Sequence, residues 1–154
     1  MPTISIEVSG LQSFRRSLHS LADEINNPPA HALHRIGEAG LEDIDQRFMT
    51  AGYNTWQPLA PETVAKKGNS FILIDSGAMF QSSRIVLTGK NSVQVDVPYG
   101  GRNHDPEVPA RHQHGGKHLP QRKIIEVTPQ LNKRLTDALM LWVLDMVKAF
   151  RRAM

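Results

Sequence analysis

Cysteine is missing from all 154 residues, which excludes disulfide staples and thiolate metal sites and suits a chain made in a reducing cytoplasm. Aromatic residues are scarce at 6%, so Trp56 and Trp142 stand out as anchors rather than filler. Long apolar runs are also missing. The greasiest stretch, 138–147, contains Asp145 and falls well short of the roughly 20 apolar residues that cross a bilayer. The opening MPTISIEVSG has no basic segment followed by an apolar one, so no secretion signal is expected there.

What remains is ordinary globular composition, 40% hydrophobic and 21% charged, and the economical expectation is one domain over 1–154. The net charge of +3 hides an asymmetry: residues 1–50 balance to −3 and residues 51–154 to +6. The basic side chains are scattered rather than run together, so a solvated surface or a charged subunit contact explains them as well as nucleic acid does.

Hydrophobic spacing organises the chain. Ile4, Ile6 and Val8 alternate with polar residues as in a half-buried strand. Leu11, Phe14, Leu18, Leu21 and Ile25 follow at helical spacing, up to the stop at Asn26-Asn27-Pro28-Pro29. A second helix is expected from Asn27 as N-cap, with Leu33, Ile36, Gly37, Gly40, Leu41, Ile44 and Phe48 on one face. Its two buried-side glycines imply close approach of another backbone, and Glu38, Glu42, Asp45 and Arg47 should be wet. A short helical turn at 62–67 and another through Met79 and Phe80, capped by Asp75 or Ser76, precede a hairpin of 84–88 and 92–97. Residues 98–121, rich in proline, glycine and histidine, read as a long mobile loop, and 123–127 as a last strand.

The C-terminal helix opens at Thr128-Pro129. Leu131, Leu135, Ala138, Leu139, Trp142, Met146 and Phe150 line one face. Met140, Leu141, Leu144 and Val147 make a second, and a helix apolar on both sides sits inside a core or against a partner. The fold expected is α+β: a small antiparallel sheet covered on one face by long helices, with extended loops at 51–70 and 98–121.

Between 56 and 125 an ordered series of short signals appears. It runs Trp56-x-Pro58-Leu59-x-Pro61-x-Thr63-x-x-x-Lys67, then Leu73-Ile74-Asp75-Ser76-Gly77-x-Met79, then Val93, Val95 and Val97 into Pro98-Tyr99-Gly100. His112-Gln113-His114-Gly115-Gly116 and Pro120-Gln121-Arg122-x-Ile124 close it. Each piece shapes backbone or anchors an aromatic, and none pairs a nucleophile with a base. The series resembles the phage virion morphogenesis family, the tail-completion and neck proteins of Mu-like long-tailed bacteriophages.

That resemblance implies a non-enzymatic virion protein of the head–tail junction, made in the host bacterial cytoplasm and free of cofactors. It also implies a homo-oligomeric, sixfold ring contacting neck or connector and tail-tube or tail-terminator neighbours, with genomic DNA passing the lumen unread and no membrane involved. The expected interface residues are Tyr99, Arg111, His112, Gln113 and His114 on the loop, and Met140, Leu141, Leu144 and Val147 on the last helix. The segment Arg102 to Arg111 departs from the family pattern as an insertion. Two other classes stay open. One is a DNA-binding accessory protein. The other is a metal-dependent hydrolase using His112, His114 and His118 with His104 or Asp105. Ser76 beside Asp75 lacks the Gly-x-Ser-x-Gly elbow of a serine nucleophile.

Overall fold

The computed structural model of the chain describes residues 11–153. The alternating segment at Ile4, Ile6 and Val8 lies outside them. The described residues form an α+β arrangement of helices around one two-stranded antiparallel sheet.

Helix α1 (Leu11–Asn26) follows its apolar stripe to the end. Helix α2 (Ala30–Met49) begins later than the sequence reading has it. Its N-cap is Pro29, and Asn27 instead donates Nδ2 back to the Asp23 carbonyl at 3.3 Å, closing α1. The residue before a proline is driven out of the helical region, so Pro28 cannot open a helix ahead of Pro29.

Strands β1 (Arg84–Gly89) and β2 (Ser92–Asp96) pair with Ile85 opposite Val95 and Leu87 opposite Val93. That register puts all four side chains on one face, because side chains alternate along a strand. Helix α2 lies over this face, and its glycines make the fit. A β-carbon on Gly37 would stand 2.7 Å from Ile85 Cγ2, and one on Gly40 2.9 Å from Val95 Cγ2. The close approach is therefore made by sheet side chains rather than by a second backbone.

On its other side α2 meets α7 (Pro129–Ala153), whose first turn is capped by Thr128 Oγ1 accepting from the Leu131 amide at 3.1 Å. Trp142 and Met146 are buried against Ala32 of α2, and an Arg35–Asp145 ion pair at 3.0 Å ties the same two helices. Leu139, placed on this face by periodicity, is 43% exposed. Helix α1 adds only Leu21 to that cluster and an edge-on contact of Phe14 with Phe150.

The main core gathers Ile44, Phe48, Trp56, Met79, Val97 and Ile124. Trp56 enters it through α3 (Ala51–Asn54), a single turn wound left-handed, with φ of 51°, 67°, 56° and 63°. Such a turn costs roughly 1–2 kcal/mol for each residue bearing a β-carbon. Thr50 Oγ1 and the Thr50 carbonyl accept from the Tyr53 and Asn54 amides at 2.9 and 2.8 Å and offset part of that cost. Gly52 lies directly under the indole.

Two further expectations are corrected. Residues 98–121 contain helix α6 (Glu107–His114), started by Asp105 Oδ1 accepting from the Glu107 amide at 2.8 Å and braced by Arg111 on Glu107 at 2.6 Å. Pro106 stands at its N-cap and Pro109 within its first turn, where a missing N–H breaks no intrahelical bond, and Gly115 ends it. Residues 123–127 form no strand. Gln113 takes the place of a neighbouring strand there: Oε1 accepts from the Ile124 and Ile125 amides at 2.8 and 3.0 Å, and Nε2 donates to the Ile125 carbonyl at 2.6 Å.

Candidate functional site

Helix α4 (Pro61–Lys67) starts on a proline, ends on left-handed Gly68, and presents Thr63, Lys66 and Lys67 along one side. Facing it is the turn that leads into α5 (Ala78–Ser82), where Ser76 Oγ accepts from the Ala78 amide at 3.3 Å. Asp75 does not cap that helix; it pairs with Arg102 at 3.2 Å. Between these pieces and α6 opens a cavity of about 380 Å³, of the size that holds a small ligand or an inserted side chain. Leu59, Leu73, Met79 and Val108 supply apolar wall, while Lys66, Lys67, Arg102, His112 and Arg122 bring nitrogen to it. Four of the sequence motifs, whose lining residues at the extremes, Leu59 and Arg122, are 63 positions apart, thus converge on one space. Spacing alone gave no sign of it.

Arg122 is the least expected member, at 5% exposure. Its Nε and Nη2 both donate to the Gln57 carbonyl, at 3.4 and 3.1 Å, and no carboxylate among the described residues pairs with it. A buried guanidinium normally has a counter-charge. Next to it, His112 Nδ1 is buried without a hydrogen-bond partner. Burial first, and then Arg122, hold the His112 pKa below the ordinary histidine value. Burial likewise lowers Lys67, with Arg122 reinforcing and Asp75 opposing, and its Nζ donates to the Phe71 carbonyl.

The other residues singled out by sequence are distributed differently. Tyr99 is half-buried, edge-on to His104 with ring centres 4.9 Å apart. Gln113 spends its side chain on the 124–125 backbone. Arg111 is exposed and held by Glu107 and Asp105, which raise its pKa, the Glu107 hydrogen bond most. His114 is exposed. On α7, Met140, Leu141 and Leu144 are 53%, 56% and 47% exposed, and Val147 is half-buried. The second apolar face of α7 is therefore largely uncovered, as are Phe14, Leu18 and Ile25 on α1.

The metal reading loses its geometry. His112 and His114 are two residues apart on α6, so they project about 200° apart around the axis. His112 turns into the cavity while His114 faces solvent. Among the described residues no three of His, Asp and Glu come together in a metal-holding group. The nucleic-acid reading is weakened by pairing: Arg35, Arg47, Arg84, Arg102, Arg111, Lys123, Lys133, Arg134 and Lys148 each sit on a carboxylate.

Sequence reasoning missed the buried charge on α2. Arg47, expected to be wet, is 1% exposed and bonds Asp43, Glu126 and the Lys123 and Glu126 carbonyls. No helix of the described residues is long and apolar enough to cross a membrane. No family model, curated protein or solved structure matches the chain.

Proposed function

We propose that this protein is a structural assembly subunit that packs against copies of itself in a ring, and that its place is the head–tail junction of a long-tailed phage. The observation that carries the self-association is the uncovered apolar face of α7, Met140, Leu141 and Leu144, accompanied by Phe14, Leu18 and Ile25 on α1. Monomeric proteins rarely leave such side chains grouped on an element, and grouped exposure marks an interaction surface. The ordered motifs from Trp56 to Ile124 support the phage assignment.

In this reading α7 of one copy packs on a different surface of the next, a head-to-tail contact that closes into a ring. Sixfold closure follows from the tails that such proteins serve. Arg111 and His114, exposed on α6, are the polar contacts to neck, connector, tail-tube or tail-terminator neighbours. DNA passes the lumen without base-specific contact, and the role needs no catalysis and no cofactor.

Sedimentation velocity and negative-stain microscopy of the purified chain test it. Closed rings are expected, and Leu141→Glu with Leu144→Glu should give a monomer of unchanged circular dichroism. A wild-type chain that stays monomeric at high concentration overturns self-association. An unfolded double variant moves the interface elsewhere. Labelling the protein in whole particles tests the junction: signal away from the neck and tail end overturns that placement.

A further inference from the structure

The cavity between α4, α5 and α6 is lined by no residue of the exposed α7 face. Two features make it a site rather than a packing defect. Its wall holds a guanidinium, that of Arg122, which is 5% exposed and has no carboxylate partner among the described residues. Beside it the Nδ1 of His112 is buried and unbonded. Burying a charge without a counter-ion costs several kcal/mol, and the arrangement makes sense when an anion completes it.

The surroundings narrow the anion. Lys66 and Lys67 stand at the same wall, whose single carboxylate, Asp75, pairs with Arg102 and also acts on Lys67, leaving the cations in excess. Lys67 is held below its usual pKa by burial, so a carboxylate nearby would stabilise its charged form. Leu59, Leu73, Met79 and Val108 form an apolar wall, and the volume of about 380 Å³ accepts one large side chain with its backbone. A small polar metabolite would leave that wall unused. A peptide uses both parts.

We propose that this cavity docks a peptide segment of a neighbouring protein, which inserts one apolar side chain against Leu59, Leu73 and Met79 and sets an adjacent carboxylate on Arg122 and Lys67. The apolar side chain supplies the burial, and the carboxylate supplies the missing counter-charge and so the register.

A displayed library of random twelve-residue peptides, selected on the full chain, tests the proposal directly. Enriched peptides should share a large apolar residue next to Asp or Glu. Their synthetic forms should bind at least tenfold more weakly when that acid is changed to its amide. Arg122→Met and Lys67→Glu should each cause a loss of similar size, and the Lys67 variant serves if the buried Arg122 one fails to fold. Leu141→Glu should leave peptide affinity unchanged. No enrichment, enrichment without an acidic residue, or binding indifferent to Lys67→Glu overturns the proposal. So does competition by acetate or citrate at the peptide's own concentration, which would mark a small-carboxylate site.

Discussion

Asp43 and Arg47 stand one turn apart on α2 and form an ion pair at 2.9 Å whose two side chains are each 2% exposed. The pair is not isolated. Asp43 Oδ1 accepts from the Tyr53 hydroxyl at 2.7 Å, and Arg47 Nη2 donates to the Glu126 carbonyl at 3.2 Å. One buried charge thus ties the middle of the sequence to the segment before α7. Trp56 does the same from the other side, through Nε1 on the Lys123 carbonyl at 3.3 Å.

Removing one member of this pair should be severe. Asp43→Ala leaves the buried guanidinium with only the more distant, partly exposed Glu126 carboxylate at 3.4 Å, and a loss of about 3–5 kcal/mol is expected. Replacing both, Asp43→Leu with Arg47→Met, should cost clearly less than the sum of the single changes, because no charge is then stranded. Urea denaturation followed by circular dichroism measures all three variants. Simple additivity would show that the pair is not a unit.

Gly52→Ala should open the loop that carries Trp56. The added β-carbon would stand 2.3 Å from Trp56 Nε1, on a backbone already at φ 67°. The left-handed penalty of roughly 1–2 kcal/mol adds to displacement of the indole from the core. A red-shifted Trp56 emission, read in a Trp142→Phe background, is the expected signature. Unchanged emission with unchanged stability would contradict the packing described.

Acid should weaken the fold through His112. Its folded pKa lies below the ordinary value near 6.5, so the unfolded chain takes up the proton first as pH falls. The stability it contributes is therefore whole above about pH 6.5 and is lost as the pH drops from there toward the folded pKa. Lys66, Lys67, Arg102 and Arg122 face the same cavity as cations and Asp75 as an anion, a balance that opposes a charged imidazole. His112→Gln should flatten the profile of urea midpoints below about pH 6.5, where the unfolded-state imidazole takes up its proton ahead of the folded one. An unaltered slope would place the pH sensitivity elsewhere.

The sequence by itself determined what depends on neighbours a few residues away. The stripes of α1, α2 and α7 follow from spacing, as does the β1–β2 hairpin. The turn at 61–67 follows from its proline start and glycine stop. Gly37 and Gly40 announced a close approach, and Trp56 an anchor, because small and large side chains are informative wherever they fall. Tertiary structure alone decided what needs a distant partner. Arg47 sits among charged residues on the polar side of α2, and it is buried because Glu126 and the Lys123 carbonyl, 79 and 76 residues on, complete its hydrogen bonds. Residues 123–127 have the composition of a strand, yet one side chain, Gln113, occupies the edge on which a strand would pair. The cavity belongs to this second kind. In the sequence Lys67 and Arg122 are only motif positions and His112 a loop interface or metal-ligand candidate, and they become one site only where the fold gathers them around an uncompensated charge.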